Sequence, residues 1–294
     1  MKQWVGHALA DWLSRRSRRS EKTEMLDDEP LLLDRGALLE EVSASVLADR
    51  RTVSDSGGLS DGDDAFFITE GRALIREDSV LSSGLNATQT FSVGDSIYLA
   101  AALSKRPRDW DFMIPEPLEV IAIKGDALRE AVMKSGFLVN EVIRNSITRI
   151  FDIQQRENAT FENRFYARFR RTAARLKYAV GDCIYRIGDP AVGLYFIEQG
   201  QVYLTTARSA RFAELGETDF FGETSLLTSH RRGKNIYAKT DCSVLLIDRK
   251  TVQAEINKES ALVKLVLVNI LHLLDLMNRL RFDHLNSSSF HQSS

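Results

Sequence analysis

One stretch of this chain lines up with another roughly 125 residues further on, and internal repetition restricts a fold more than any local signal. Asp64-Ala-Phe-Phe-Ile-Thr-Glu-Gly71 matches Gly193-Leu-Tyr-Phe-Ile-Glu-Gln-Gly200. Each is a short aromatic and β-branched run closed by Gly, which reads as a strand followed by a turn. Gly94-Asp95 then matches Thr218-Asp219, and without a gap Leu103 falls on Leu227. LEVIAIKGDAL (118–128) falls on CSVLLIDRKTV (242–252), each an apolar strand passing into a helix start. Such a period is too long for a solenoid unit and suits two copies of a whole domain. A length of 294 residues agrees with about two domains.

Each copy carries many short strands with turn signals, then an apolar helix. In the second copy strands are predicted at 177–180, 183–186, 194–198, 202–206, 235–238 and 243–247, split by Gly-Asp and Gln-Gly turns. Helices are predicted over 137–156 and 259–283. The fold class is therefore mainly β with helices: two tandem jelly-roll-like β-rolls, each followed by a long helix. The expected domains are a basic helix and acidic linker (1–29), the first roll (30–156), a linker helix (157–176), the second roll with its helix (177–283) and a flexible tail (284–294).

Composition narrows the function classes. Apolar residues make up 44% and charged residues 27%, an ordinary globular balance. Lys plus Arg number 39 against 41 Asp plus Glu, a net charge of -2, which argues against a nucleic-acid partner. Cys183 and Cys242 are too few for a disulfide framework, so a reduced, cytoplasmic setting is expected. Residues 261–280 are interrupted by Lys264, Asn269, His272, Asp275, Asn278 and Arg279, which disfavours a membrane span, and no signal peptide is read at the start.

Residues 1–19 place Trp4, Val5, Ala8, Leu9, Trp12 and Leu13 on one helical face, with Lys2, Arg15, Arg16, Arg18 and Arg19 making the segment basic. That pattern suits peripheral contact with an inner membrane face or a partner, and equally suits packing on the protein itself. Gly58-Leu59-Ser60-Asp61-Gly62 fits the G-x-S-x-G pattern of serine hydrolases. However, a charged segment precedes it where a strand is required, so an acidic loop is expected. No paired carboxylates, metal cluster or nucleophile–base set is found, which predicts a protein without enzymatic activity, metal or cofactor.

The chemistry lies in the second copy, in Phe221-Gly222-Glu223-Thr224-Ser225-Leu226-Leu227 and the following Thr228-Ser229-His230-Arg231-Arg232. Gly222 lets backbone approach a ligand closely. The apolar segment after it can form a helical turn whose N-terminus attracts an anion. Glu223 can accept hydrogen bonds from sugar hydroxyls, and Arg232 can make fork-shaped contacts to a phosphate. Together they suit a ribose joined to a phosphate.

Residues 177–258 resemble the cyclic nucleotide-binding domain of catabolite activator proteins and of cAMP-dependent kinase regulatory subunits. The resemblance is carried by Gly181-Asp182, Gly188-Asp189, Leu194-Tyr195-Phe196-Ile197, Gly200, Phe221-Gly222-Glu223, Leu226-Leu227 and Arg232. It implies that Glu223 holds the ribose 2'-hydroxyl and Arg232 the cyclic phosphate. The implied binding set is Phe221, Gly222, Glu223, Thr224, Arg232, Gly233 and Lys234. The family places small residues after the Arg; here Gly233 offers no hydroxyl, which removes a hint of cGMP, and Lys234 reaches either the phosphate or solvent. Arg231 is expected in solvent and His230 in a loop.

In the first copy Tyr98 takes the place of Gly222 and Leu99 that of Glu223, while Arg108 keeps the Arg. A leucine cannot hold a ribose hydroxyl, so the first copy reads as degenerate. Val263, Val266, Ile270, Leu273, Met277 and Leu280 form a coiled-coil-like seam, widened by Leu267, Leu271 and Leu274, which predicts a homo-oligomer contact shared with core packing. Phe161, Phe165 and Phe169 predict core packing in the linker helix. The expected function is a cyclic-nucleotide receptor, with cAMP favoured, that signals to a protein partner and has neither a catalytic nor a DNA-binding domain. The alternatives are a scaffold built on degenerate domains, or a cyclic di-GMP receptor using Arg231, Arg232 and Lys234.

Overall fold

The computed structural model describes residues 33–45, 47–59, 62–76, 88–108, 110–151, 169, 173–207, 210–228 and 231–290. The basic helix expected over 1–19, most of the linker helix, Phe161, Phe165 and His230 lie outside the described residues. The chain divides into two compact units. Among the described residues, one comprises 33–151 with 254–290, and the other 169 and 173–253.

The first unit opens with helix α1 (Arg35–Ser43), capped by Asp34, whose carboxylate accepts from the Gly36 and Ala37 amides. Strand β1 (Asp49–Val53) follows, then β2 (Ala65–Glu70), β3 (Ala73–Arg76), β4 (Thr88–Phe91) and β5 (Ser96–Ile97). Helix α2 (Leu99–Ser104) precedes β6 (Phe112–Met113) and β7 (Leu118–Ile123). Helices α3 (Gly125–Lys134) and α4 (Phe137–Ile150) close the run. The strands form antiparallel sheets in the orders β1-β7-β2-β5 and β4-β3-β6. Phe66, Phe67, Ile68, Val120 and Ile121 fill the interior. Their unbroken apolar runs fit strands buried on both faces. The acidic loop folds into a 3-10 turn over Ser56–Leu59 that buries Leu59.

The second unit contains β8 (Ala174–Tyr178), β9 (Cys183–Tyr185), β10 (Gly193–Gln199), β11 (Val202–Thr205), β12 (Arg211–Leu215) and β13 (Phe220–Phe221). Helix α5 (Glu223–Thr228) separates them from β14 (Asn235–Ala238) and β15 (Cys242–Asp248). The sheet orders are β13-β10-β15-β8 and β12-β11-β14-β9. Residues 174–176, predicted as helix, lie in β8 because Leu176 and Tyr178 alternate into the core while Arg175 and Lys177 point out. Phe169 is buried, as the linker reading expected.

The two units match in register. Phe66 pairs with Ala122 and Ile97, as Tyr195 pairs with Leu246 and Phe221. Both central strands carry a bulge at the same place, between Ile68 and Glu70 and between Ile197 and Gln199. The fold is mainly antiparallel β-roll with helices.

Helix α6 (Arg249–Asn257) leads into α7 (Ala261–Phe290). Two expectations are corrected here. The helix runs to Phe290, where a flexible tail was expected from 284. It also groups with residues 33–155, not with the roll that precedes it, and packs on α1, α2, α3 and α4. Val263, Val266, Ile270, Leu273, Met277 and Leu280 are all buried there, which meets the core-packing part of the role expected for this seam. The same burial accounts for a segment, Ala261–Arg281, that is long and apolar enough to cross a membrane. Glu259 accepts from the Gly136 amide (2.7 Å) before α4, and Arg281 donates to the Ile150 carbonyl (2.9 Å) at its end, which sets the pairing of α7 with α4.

Candidate ligand-binding site

Of the predicted site residues, Gly222 touches the buried Arg232 directly and Phe221 stacks on a neighbour of its guanidinium, whereas Gly233 and Lys234 point elsewhere. Phe221 ends β13 beside Tyr195, and the two rings stack at 4.8 Å. Gly222 follows in the left-handed region (φ 85°), turning the chain into α5. Glu223 begins that helix and is buried; Thr224 is half-buried, and Ser225 is buried. Arg232 is only 2% exposed.

The backbone around Arg232 is clamped by the Gly188-Asp189 turn. Gly188 donates to the Arg232 carbonyl (2.8 Å), and Arg232 donates to that of Asp189 (2.9 Å). The Asp189 carboxylate holds its own turn by accepting from the Arg186 amide (2.8 Å). Arg231 remains exposed and donates to the Gly188 carbonyl (2.8 Å). The sequence placed Arg231 in solvent; it is there, but also fastens the clamp.

The Arg232 guanidinium folds inward. Nη1 donates to the Gly222 carbonyl (2.7 Å) and to Ser225 Oγ (2.9 Å), and Nη2 to the Gly193 carbonyl (2.7 Å). The Tyr185 ring lies 4.4 Å away and the Tyr195 ring 5.4 Å. Burial pushes the Tyr195 hydroxyl pKa up, with the Arg232 charge pulling the other way. Arg232 Nε and Glu223 Oε2 are buried with no hydrogen-bond partner.

This geometry revises the role of Gly222. A Cβ there would come 2.5 Å from Arg232 Nη1, so the glycine makes room for the arginine as well as for the turn. Gly233 is exposed with open space around it. Lys234 is half-buried, with its ammonium 5.8 Å from the centre of the Phe212 ring. Sequence reasoning assigned no role to Ser225, Tyr185 or Gly193. Only Ser225 had a legible signal: Gly222-x-x-Ser225 is one helical turn, which returns the hydroxyl to the Gly222 carbonyl.

The corresponding place in the first unit is built differently. Tyr98 occupies the left-handed position (φ 60°) before α2, and Leu99 is fully buried. Arg108 donates to the Leu59 carbonyl (2.5 Å) and to the Asp64 carbonyl, with its guanidinium 4.7 Å from the Tyr98 ring and 5.6 Å from the Phe66 ring. The Tyr98 hydroxyl donates to the Trp110 carbonyl (3.0 Å). Among the described residues there is no cluster of side chains that could hold a metal ion.

The family model of the cyclic nucleotide-binding domain matches residues 175–259. The cAMP-dependent protein kinase type II regulatory subunit of Drosophila melanogaster is 27% identical over 123 residues, 40% of this chain and 30% of that protein. A potassium channel protein of Rhodopseudomonas palustris is 29% identical over 86 residues, 29% of this chain and 21% of its own. The chain thus spans less than a third of the length of these curated relatives. Among solved structures, the regulatory domain of Toxoplasma gondii PKA with cAMP aligns over 78% of this chain and 92% of its own, with 15% identity and a TM-score of 0.30. Residues 175–259 are thus similar to a cyclic nucleotide-binding domain, and the chain is similar in part to a kinase regulatory subunit.

Proposed function

We propose that this protein is a cyclic-mononucleotide receptor whose second roll binds the ligand, with Arg232 facing the cyclic phosphate and Glu223 the ribose hydroxyl. The observation that carries the reading is the state of Arg232. Its charge is buried, yet its hydrogen-bond partners are two carbonyls and a hydroxyl, all neutral, and its Nε has none. Burying a guanidinium without a carboxylate is costly, and an incoming phosphate offsets that cost. A single anion beside one sugar-binding carboxylate fits a cyclic mononucleotide better than a dinucleotide, because Arg231 is spent on the Gly188 carbonyl and Lys234 lies over Phe212. Gly233 brings no hydroxyl to the ligand, so cAMP is the favoured base.

The matched registers of the two rolls support reading them as tandem copies, of which the first is degenerate. Arg108 there is held by the Leu59 carbonyl and lies over the Tyr98 ring, and Leu99 supplies no acceptor. The second roll would then pass ligand occupancy to a protein partner as a shift in population between two states.

Calorimetric titration with cAMP, cGMP and cyclic di-GMP tests the reading. Submicromolar to micromolar binding of a cyclic mononucleotide is expected, weakened at least tenfold in Glu223→Gln. The rival is a scaffold in which Arg232 only ties Gly193 to Gly222, and its carbonyl contacts favour that rival. Absence of binding by every cyclic nucleotide would decide for it.

A further inference from the structure

We propose that His272 works a proton-driven latch on α1: when its imidazole is protonated, the Asp95 carboxylate exchanges Arg35 for it, and α1 is released from the first unit. The latch acts whether or not the second roll binds a nucleotide.

The two rolls use one turn differently. Between β12 and β13, Asp219 is half-buried and accepts from the Gly216 amide (2.9 Å). Its counterpart Asp95, between β4 and β5, accepts in the same way from the Ser92 amide (2.9 Å), but is buried. Its second oxygen bonds Arg35 Nη1 of α1. That same oxygen stands 3.5 Å from Nε2 of His272 on α7. Gly94 lets α1 come close, since a Cβ there would lie 3.5 Å from the Arg35 Cβ. A turn, α1 and α7 therefore meet at one carboxylate oxygen. Helix α1 leans on that meeting point, because of its nine residues only Leu39 and Val42 are buried.

At 3.5 Å a neutral imidazole contributes little to the carboxylate. Protonation makes it a cation with a donor on each nitrogen, so two cations then compete for one oxygen. The charged groups that act on His272 are Asp95 on the turn, Arg35 on α1, and Asp275 and Arg279 on α7 itself. Of these only Arg35 departs with α1. Release therefore removes a repulsion, returns water to the imidazolium and leaves both carboxylates in place. While α1 is docked, burial first, and then Arg35 and Arg279, hold the His272 pKa below its usual value. Once α1 is released that depression is relieved, so the released state binds the proton better and acid drives release. The side chain is 40% exposed, so a proton reaches it without unfolding. A histidine with the ordinary pKa of about 6.5 is about ten-to-one protonated at pH 5.5, so release gains up to about tenfold between pH 7.5 and that pH.

The test is hydrogen exchange of the full chain at pH 7.5 and pH 5.5, read by mass spectrometry as protection factors so that the intrinsic pH dependence of exchange cancels. In the wild type, protection of α1 should fall about five- to tenfold at the lower pH while that of α4 holds. His272→Gln should keep α1 equally protected at both. Arg35→Gln should leave α1 loosened at both, because the clasp is already open. An undiminished α1 protection in the wild type at pH 5.5 would overturn the proposal. So would the same fall in His272→Gln, or a parallel fall in α4, which would mark general acid loosening. Full protection of α1 in Arg35→Gln at pH 7.5 would show that the clasp does not hold the helix, and would overturn it as well.

Discussion

Gly222 and Arg232 form one steric unit. Gly222 needs a left-handed backbone, and its missing Cβ leaves room for the guanidinium. Gly222→Ala should therefore cost about 1–3 kcal/mol, read as a lower urea midpoint, from backbone strain combined with displacement of Arg232. Arg232→Lys keeps the charge but loses the fork that spans Gly193, Gly222 and Ser225. Cyclic-nucleotide affinity should fall about tenfold to a hundredfold, measured by calorimetry. The two substitutions should be non-additive in stability, because both disturb the same contact.

At the scale of elements, the decisive one is α7. Each buried Val, Leu or Ile on it contributes about 1.5–3 kcal/mol, so its packing on α1 and α4 dominates the helical layer of its unit. Ile270 is fully buried. Ile270→Glu should lower the melting temperature sharply, with a loss of about 3–5 kcal/mol or more, because a carboxylate would be buried unpaired. An unchanged melting curve would show that the helix is not held there.

A charged clasp adds to the packing of α7. Asp95 takes Arg35 of α1 on one oxygen and holds the Ser92 amide with the other, while His272 Nε2 of α7 stands 3.5 Å away. Burial pushes the His272 pKa below its usual value; Asp95 and Asp275 oppose that, and Arg35 and Arg279 add to it. A depressed histidine leaves the unfolded chain binding more protons as pH falls, so its contribution is full above about pH 6.5 and is lost below it. His272→Gln should flatten the decline in urea midpoint between pH 7 and pH 5.

For the whole molecule, the asymmetry between the two rolls predicts one bound cyclic nucleotide per chain. Arg108→Ala should leave that affinity unchanged while lowering thermal stability, because Arg108 ties the Leu59 turn to the strand starting at Ala65 through the Leu59 and Asp64 carbonyls. Two sites per chain by calorimetric stoichiometry would contradict the asymmetric reading.

Six strands of the second roll and the Phe221-to-Arg232 motif were legible in the amino-acid sequence, because alternation and turn glycines act over a few residues at a time, whereas β12 and β13 were not read. Counting along the sequence aligned Tyr98 with Gly222, and both residues have a left-handed backbone. The inward pose of Arg232 was not legible, since its acceptors, Gly193, Gly222 and Ser225, come from two separate segments. Nor was the partner of α7. Its apolar spacing states that the helix must bury a wide face, but a hydrophobic stripe carries no address. Only tertiary packing decided that the face closes on residues 33–155, because burial free energy depends on area removed from water and not on which element removes it.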